Sequence, residues 1–375
     1  MGSGPVAIRE VPAWRRLHSP QFPSANQGAI VVLGVTVRKG ALEYIGLVVW
    51  CAGILACIGL TVWFGIADVG NAVASVGWGM PLVVLTRVAT ISVAGAGWWL
   101  LLPPSEHFKL RAALLLRFIR EAVNTLLPLT QVGGEVVGAR LSTFWSIPTP
   151  LAAASIIIDV LMQAVTQFLF AALGLVILVA LAGDTTVTWI AATGLALAAP
   201  MLGGFYLAQR RSGHRILHFA LSRLKGDNDW RVLSTLDAIY QSLSMLFARR
   251  SSLLASGQVH FVGWLIGTAE VWIALRCMGL PVTINEALVI ESLMQAVRGA
   301  AFAIPGAFGA QEAGLILLCG IFQIPPDQAL ALSLIKRAAD LVVGVPGLVS
   351  LQVLEGGRLK ARYSHAKESR TYNRP

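Results

Sequence analysis

Charge is scarce in this chain. Only 13% of its 375 residues are Asp, Glu, Lys or Arg, while 56% are hydrophobic and the mean hydropathy is +0.70. So few charges cannot clothe the surface of a soluble protein of this size, and several uncharged stretches approach the roughly 20 residues that cross a bilayer. A soluble fold is therefore excluded. Cysteine is sparse too. Cys51, Cys57, Cys277 and Cys319 sit within or at the ends of apolar segments, with no CxxC pair. That excludes a disulfide framework and a zinc site, and leaves them as small apolar packing residues. No short apolar stretch with a small-residue cleavage site opens the chain, so no cleaved signal peptide is expected. Enzyme fingerprints are missing as well: no GxSxG, phosphate loop or dinucleotide motif stands in a usable context. His214 and His218, four apart on a basic connection, read as a solvated face rather than a metal site.

What the chain does have is uneven basic charge. Of 29 Lys and Arg residues, 23 fall in four segments: five in 1–41, four in 103–120, eight in 209–251 and six in 355–375. The connections 67–78, 183–186 and 278–287 contain none. This banding follows cytoplasmic loops, not a nucleic-acid footprint, and it puts both termini and the 209–251 loop in the cytoplasm. The chain then divides into a basic leader (1–41), a first membrane half (42–208), a basic loop with amphipathic helices (209–251), a second half (252–354) and a basic tail (355–375). Six clear spans are expected near 42–66, 81–102, 151–182, 187–208, 252–277 and 327–354. The first half also holds an amphipathic piece, 67–78, anchored by Trp63 and Trp78. Lys109, Arg111, Arg117 and Arg120 recur at helical spacing, which predicts a basic amphipathic helix on the cytoplasmic side.

Two Pro/Gly-rich breaks interrupt this pattern. PGAFGAQEAG (Pro305 to Gly314) carries Glu312, and PLTQVGGE (Pro128 to Glu135) has the same seven-residue Pro-to-Glu spacing. Lipid offers no water to broken backbone, so such breaks belong inside protein or beside a wet cavity. Crossing parity between the cytoplasmic segments makes 117–146 a hairpin entering from the cytoplasm, with Arg140 at its exit, and makes 288–322 a hairpin entering from outside. Twelve residues beyond each Glu comes an Ile-Pro pair, Ile147-Pro148 and Ile324-Pro325. The expected architecture is an all-α polytopic membrane protein: six spans plus two oppositely oriented re-entrant hairpins in an inverted repeat, with the binding site near the midplane. Pro128, Gly133, Gly134, Pro305, Gly306 and Gly309 are the expected hinges.

The candidate lining groups follow from depth. Glu135 and Glu312 either cap half-helices, where the dipole favours a carboxylate, or contact a proton or headgroup. Lys336, Arg337 and Asp340 form a second set. Arg337 and Asp340 are three apart and suit an internal pair; alternatively Lys336 or Arg337 reaches Glu312 or a lipid phosphate. Arg298 is placed to do the same. Asp159 and Gln163 are their first-half counterparts, and Asn124, Gln131, Glu291 and Gln311 complete the lining. Arg87 lies mid-span and needs a partner or a cavity. Glu270 and Arg276 read as snorkelling groups.

NTLLPLTQVGGEVVGAR (Asn124 to Arg140), PGAFGAQEAG and LIKRAADLVVGVPGL (Leu334 to Leu348) resemble the membrane, flippase-like domain of lysylphosphatidylglycerol synthases and their stand-alone relatives. Within that family they resemble the membrane proteins associated with hopanoid biosynthesis. Ala307 departs from the family's pattern, standing where a glycine is common. The lysyl-transferring soluble domain of the full synthases is expected to be absent, since the chain ends at Pro375. The resemblance implies translocation of a phospholipid, polyprenyl or hopanoid-type amphiphile in the bacterial cytoplasmic membrane. It implies no aminoacyl transfer and no cofactor, with membrane lipids and lipid-biosynthesis enzymes as partners. A membrane-embedded lipid-modifying enzyme and a non-catalytic scaffold are the rival readings.

Overall fold

The computed structural model describes residues 31–32, 35–36, 66–127, 132–183, 185–210, 213–217 and 230–372. The expected first span, most of the basic leader, His218, and Pro128 and Gln131 of the first break lie outside these residues. Apart from a two-residue antiparallel pairing of Val31–Val32 with Val35–Thr36, the described chain is helical.

In chain order the helices are α1 (Ile66–Ser75), α2 (Met80–Leu101), α3 (Leu110–Leu126), α4 (Gly133–Ser142), α5 (Thr149–Ala182), α6 (Thr186–Ala208), α7 (Trp230–Ala248), α8 (Arg250–Cys277), α9 (Ile284–Ala300), α10 (Ala310–Ile321) and α11 (Pro326–Tyr372). Five segments are long and apolar enough to cross a membrane: 77–101, 149–182, 186–208, 250–277 and 326–356. They coincide with the last five of the six expected spans. Local chemistry sets their ends. Pro81, Pro150 and Pro326 open α2, α5 and α11, where a missing N–H costs nothing. Thr283 and Glu286 form a capping box before α9. α5 closes on Gly183. At 34 residues, α5 is about 50 Å long and must tilt or project beyond a hydrocarbon layer of about 30 Å.

α2 and α8 form the central pair. Gly79 faces Cys277, Gly267 faces Thr90, Gly263 faces Val93 and Gly97 faces His260, so the two run antiparallel with glycine at the contact. Small residues let helix backbones approach closely where lipid supplies no hydrophobic drive. Two apolar cores flank this pair. One joins Val83, Val271, Leu275, Ile290, Met294, Leu315 and Leu332. The other joins Trp98, Leu116, Ile119, Leu141, Ile158 and Leu243. α6 buries only Thr188, as expected of a peripheral helix facing lipid.

Both breaks appear as short helix pairs: α3 and α4, then α9 and α10. The second turn is built from Gly306 (φ +62°), Ala307 (φ +49°) and Gly309 (φ +80°). Ala307 thus occupies the left-handed region that glycine favours, at a cost of roughly 1–2 kcal/mol. At the first break, Gly134 lets the start of α4 lie on the end of α3. A Cβ there would sit 2.2 Å from the Arg120 carbonyl oxygen and 2.6 Å from Asn124 Oδ1. Gly134→Ala should therefore cost about 1–3 kcal/mol through overpacking against backbone. Gly194→Ala, with nothing within 4 Å, should be neutral or stabilising. Melting of the two variants in detergent checks this, and equal melting would contradict the contact.

Candidate functional site

Charged side chains that the sequence scatters over 250 residues converge on two buried centres. The first centre is Asp159, fully buried on α5. Arg120 of α3 donates to its Oδ2 at 2.8 Å, and Gln163 donates to the same oxygen at 2.9 Å. Its Oδ1 lies 3.0 Å from His260 Nε2 of α8, and Arg117 approaches at 3.8 Å. Arg120 also binds Glu135 of α4, while its guanidinium carbon sits 5.1 Å from the Trp98 ring centroid. Arg117 donates to Gln163 at 2.9 Å and pairs with Glu121 at 3.5 Å. Asn124 ties this centre to the break, donating to Glu135 at 3.3 Å and accepting from the Gly134 N–H at 2.7 Å.

The second centre is built around a cation instead of an anion. Lys336 of α11, also fully buried, lies 2.9 Å from Glu291 of α9 and 3.4 Å from Glu270 of α8. Arg87 of α2 reaches Glu270 at 3.0 Å and Asp340 at 3.2 Å. Gln295 donates to Glu291 at 2.6 Å. Next to this centre, Glu312 divides its two oxygens between two roles. Oε2 accepts from the Gly309 N–H at 2.7 Å, capping α10, while Oε1 takes Arg337 at 2.8 Å and Ser333 at 2.7 Å. Gln311 donates to Ser333 at 2.8 Å. Arg337 further donates to the Gly306 carbonyl at 3.2 Å and stacks on Phe308 at 3.7 Å, clamping the break to α11. Glu121 of the first centre and Asp340 of the second line one crevice, too narrow to hold a water, together with Ile91, Phe118, Thr125 and Gly344.

Several sequence expectations change here. Arg337 and Asp340 do not pair with each other, because they turn to Glu312 and Arg87 respectively. Lys336 does not reach Glu312; two other carboxylates hold it. Arg298 makes no ion pair among the described residues, so it does not contact Glu312. Glu270 is not a snorkelling group but a buried partner of two cations. Arg117 and Arg120 do not form a water-facing stripe: of the four basic residues only Lys109, the N-cap of α3, and Arg111 are exposed. His214, read as part of a solvated face, has Asp237 2.8 Å away. Arg140, at the end of α4, pairs with Glu355 at 3.0 Å.

Residues 46–347 match the family model described as lysylphosphatidylglycerol synthase TM region. The chain belongs to that family. Among curated proteins and solved structures nothing matches it. As a lysylphosphatidylglycerol synthase TM region, the chain is a multi-pass membrane protein, and the family match spans both charge centres. Within that region nothing in the sequence pointed to His260, and its pattern placed Glu270, Arg117 and Arg120 at the membrane surface instead of in the buried centres.

Proposed function

We propose that the protein moves a lipid between the leaflets of the bacterial cytoplasmic membrane. The cargo would be a phospholipid or a polyprenyl- or hopanoid-type amphiphile, in service of hopanoid or envelope lipid biogenesis. The matched burial of opposite charges behind two broken elements carries this reading. Asp159 follows Glu135 by 24 residues, and Lys336 follows Glu312 by the same 24. Both are fully buried, yet one centre is an acid held by bases and the other a base held by acids. Thr90 and Gly267, which meet where α2 crosses α8, are 177 residues apart, as are Glu135 and Glu312.

A single offset relating the crossing, the breaks and the charges supports an inverted repeat. That repeat would have six spans, two re-entrant hairpins entering from opposite faces, and both termini in the cytoplasm. In such folds the site lies at the midplane between the broken elements. Ionised groups at that depth are expensive, and they mark substrate pathways more often than packing. Arg117 Nε and Arg120 Nη1 are buried with no hydrogen-bond partner among the described residues. Guanidinium donors of this kind suit a phosphate headgroup. Glu135, Glu312, Lys336, Arg337 and Asp340 would line the route.

Reconstitution into vesicles with a leaflet-selective lipid assay tests the reading. Wild type should move lipid, and Glu312→Gln and Lys336→Ala should each slow it at least tenfold. Wild-type rates in both variants would remove the proposed site. No movement by wild type of any lipid offered would favour a lipid-modifying enzyme or a scaffold.

A further inference from the structure

Away from the two charge centres, a cavity of about 480 Å³ opens on the surface between α5, α6, α7 and α8. That volume lies in the range of ligand-binding pockets. Its walls are apolar, with Leu161 and Val165 from α5, Leu202 from α6, Phe247 from α7 and Leu253 from α8. Polar groups gather at one place only. There Arg210, two residues past the end of α6, lies 4.8 Å from the Tyr206 ring and 4.5 Å from the Phe247 ring, and donates to Tyr206 Oη at 2.9 Å. No carboxylate pairs with Arg210 among the described residues. Two aromatic faces hold this guanidinium in place, and no described carboxylate balances its charge.

We propose that this groove is a binding site for an anionic phospholipid, with acyl chain along the apolar walls and phosphate on Arg210. Charge and shape together select the occupant. Hydrocarbon is the only chemistry that satisfies walls without hydrogen-bonding groups, and an anion is what a lone guanidinium at one end attracts. Arg210 belongs to the basic 209–251 segment, which the positive-inside rule puts in the cytoplasm, at the leaflet whose anionic lipids attract such residues. The site is distinct from the route between the breaks. Leu161 and Val165 face the groove from the same helix, α5, that presents Asp159 and Gln163 to the buried centre.

Native mass spectrometry of the purified protein, offered dioleoyl phosphatidylglycerol or dioleoyl phosphatidylcholine, tests this. Wild type should retain phosphatidylglycerol at least tenfold more tightly than phosphatidylcholine. Arg210→Gln should lose that preference, and Arg210→Lys should keep part of it; both changes are at the surface and leave the fold intact. Gly203 lines the groove with open space around its Cα, so Gly203→Phe should fill the groove and abolish retention of both lipids. Equal retention of the two lipids by wild type, or an unchanged preference in Arg210→Gln, would overturn the proposal. The readout is binding, so its failure leaves the translocation reading standing, and a transport failure leaves this one standing.

Discussion

Replacing Lys336 with methionine is expected to be among the most damaging single changes in this protein. Methionine matches the length of the lysine stem but carries no charge. Glu291, whose one ion pair among the described residues is with the lysine at 2.9 Å, would keep the Gln295 amide, while Glu270 would retain Arg87 at 3.0 Å. Stranding one member of a buried pair costs about 3–5 kcal/mol, because the remaining charge stays desolvated. The apparent melting temperature in detergent should fall sharply. Lys336→Met combined with Glu291→Gln should recover most of the loss, since it removes the stranded carboxylate. Transport in vesicles should stay lost in both, if lysine at this position acts on cargo as well as on the fold. An unchanged melting point for the single variant would mean that the two side chains are not paired in the membrane.

Asp159→Asn should have an effect of similar size at the other centre. The amide keeps the shape but discards the charge that faces Arg120 at 2.8 Å and Arg117 at 3.8 Å, leaving two guanidiniums and His260 around a neutral group. A loss on the order of 3 kcal/mol follows from the same desolvation argument. Arg120→Met alone should be comparably harmful, because it strands Glu135 and Asp159 together. The double variant should fall short of the sum of the two. A cycle built from the four melting curves gives the coupling, which for contacting charges runs about 0.5–3 kcal/mol. Strict additivity would show that Arg120 and Asp159 do not interact.

The five described spans were legible because their signal is local: about 20 apolar residues in a row leave few alternatives. The breaks were legible for the same reason, since Pro305, Gly306 and Gly309 announce a turn wherever they lie. The charge centres were only half legible. Asp159, Glu291, Glu312, Lys336 and Asp340 stand out as ions in apolar surroundings, yet their partners come from far along the chain. Arg87 and Glu270 are 183 residues apart, and His260 and Asp159 are 101 apart. A single sequence carries no sign of such pairings.

Arg117 and Arg120 were hidden differently. Their spacing along α3 is the same whether that face meets water or protein. They follow the exposed Lys109 and Arg111 at the start of that helix, which gave the whole segment the look of a surface stripe. The informative detail was the company they keep. Arg120 lies among Leu116, Ile119 and Val123, all fully buried, so that face of the helix turns inward.

α8 meets both centres, with His260 against Asp159 and Glu270 against Arg87 and Lys336. Ten residues separate these two side chains, a rise of about 15 Å along a rod that does not stretch. A shift of that rod toward or away from either contact is felt at the other. A ligand that favoured one setting of α8 at the first centre would then alter affinity at the second by a fixed factor. The second must return the same factor to the first, because coupling free energy is reciprocal. The two halves of the molecule would therefore sense one another through a single shared helix.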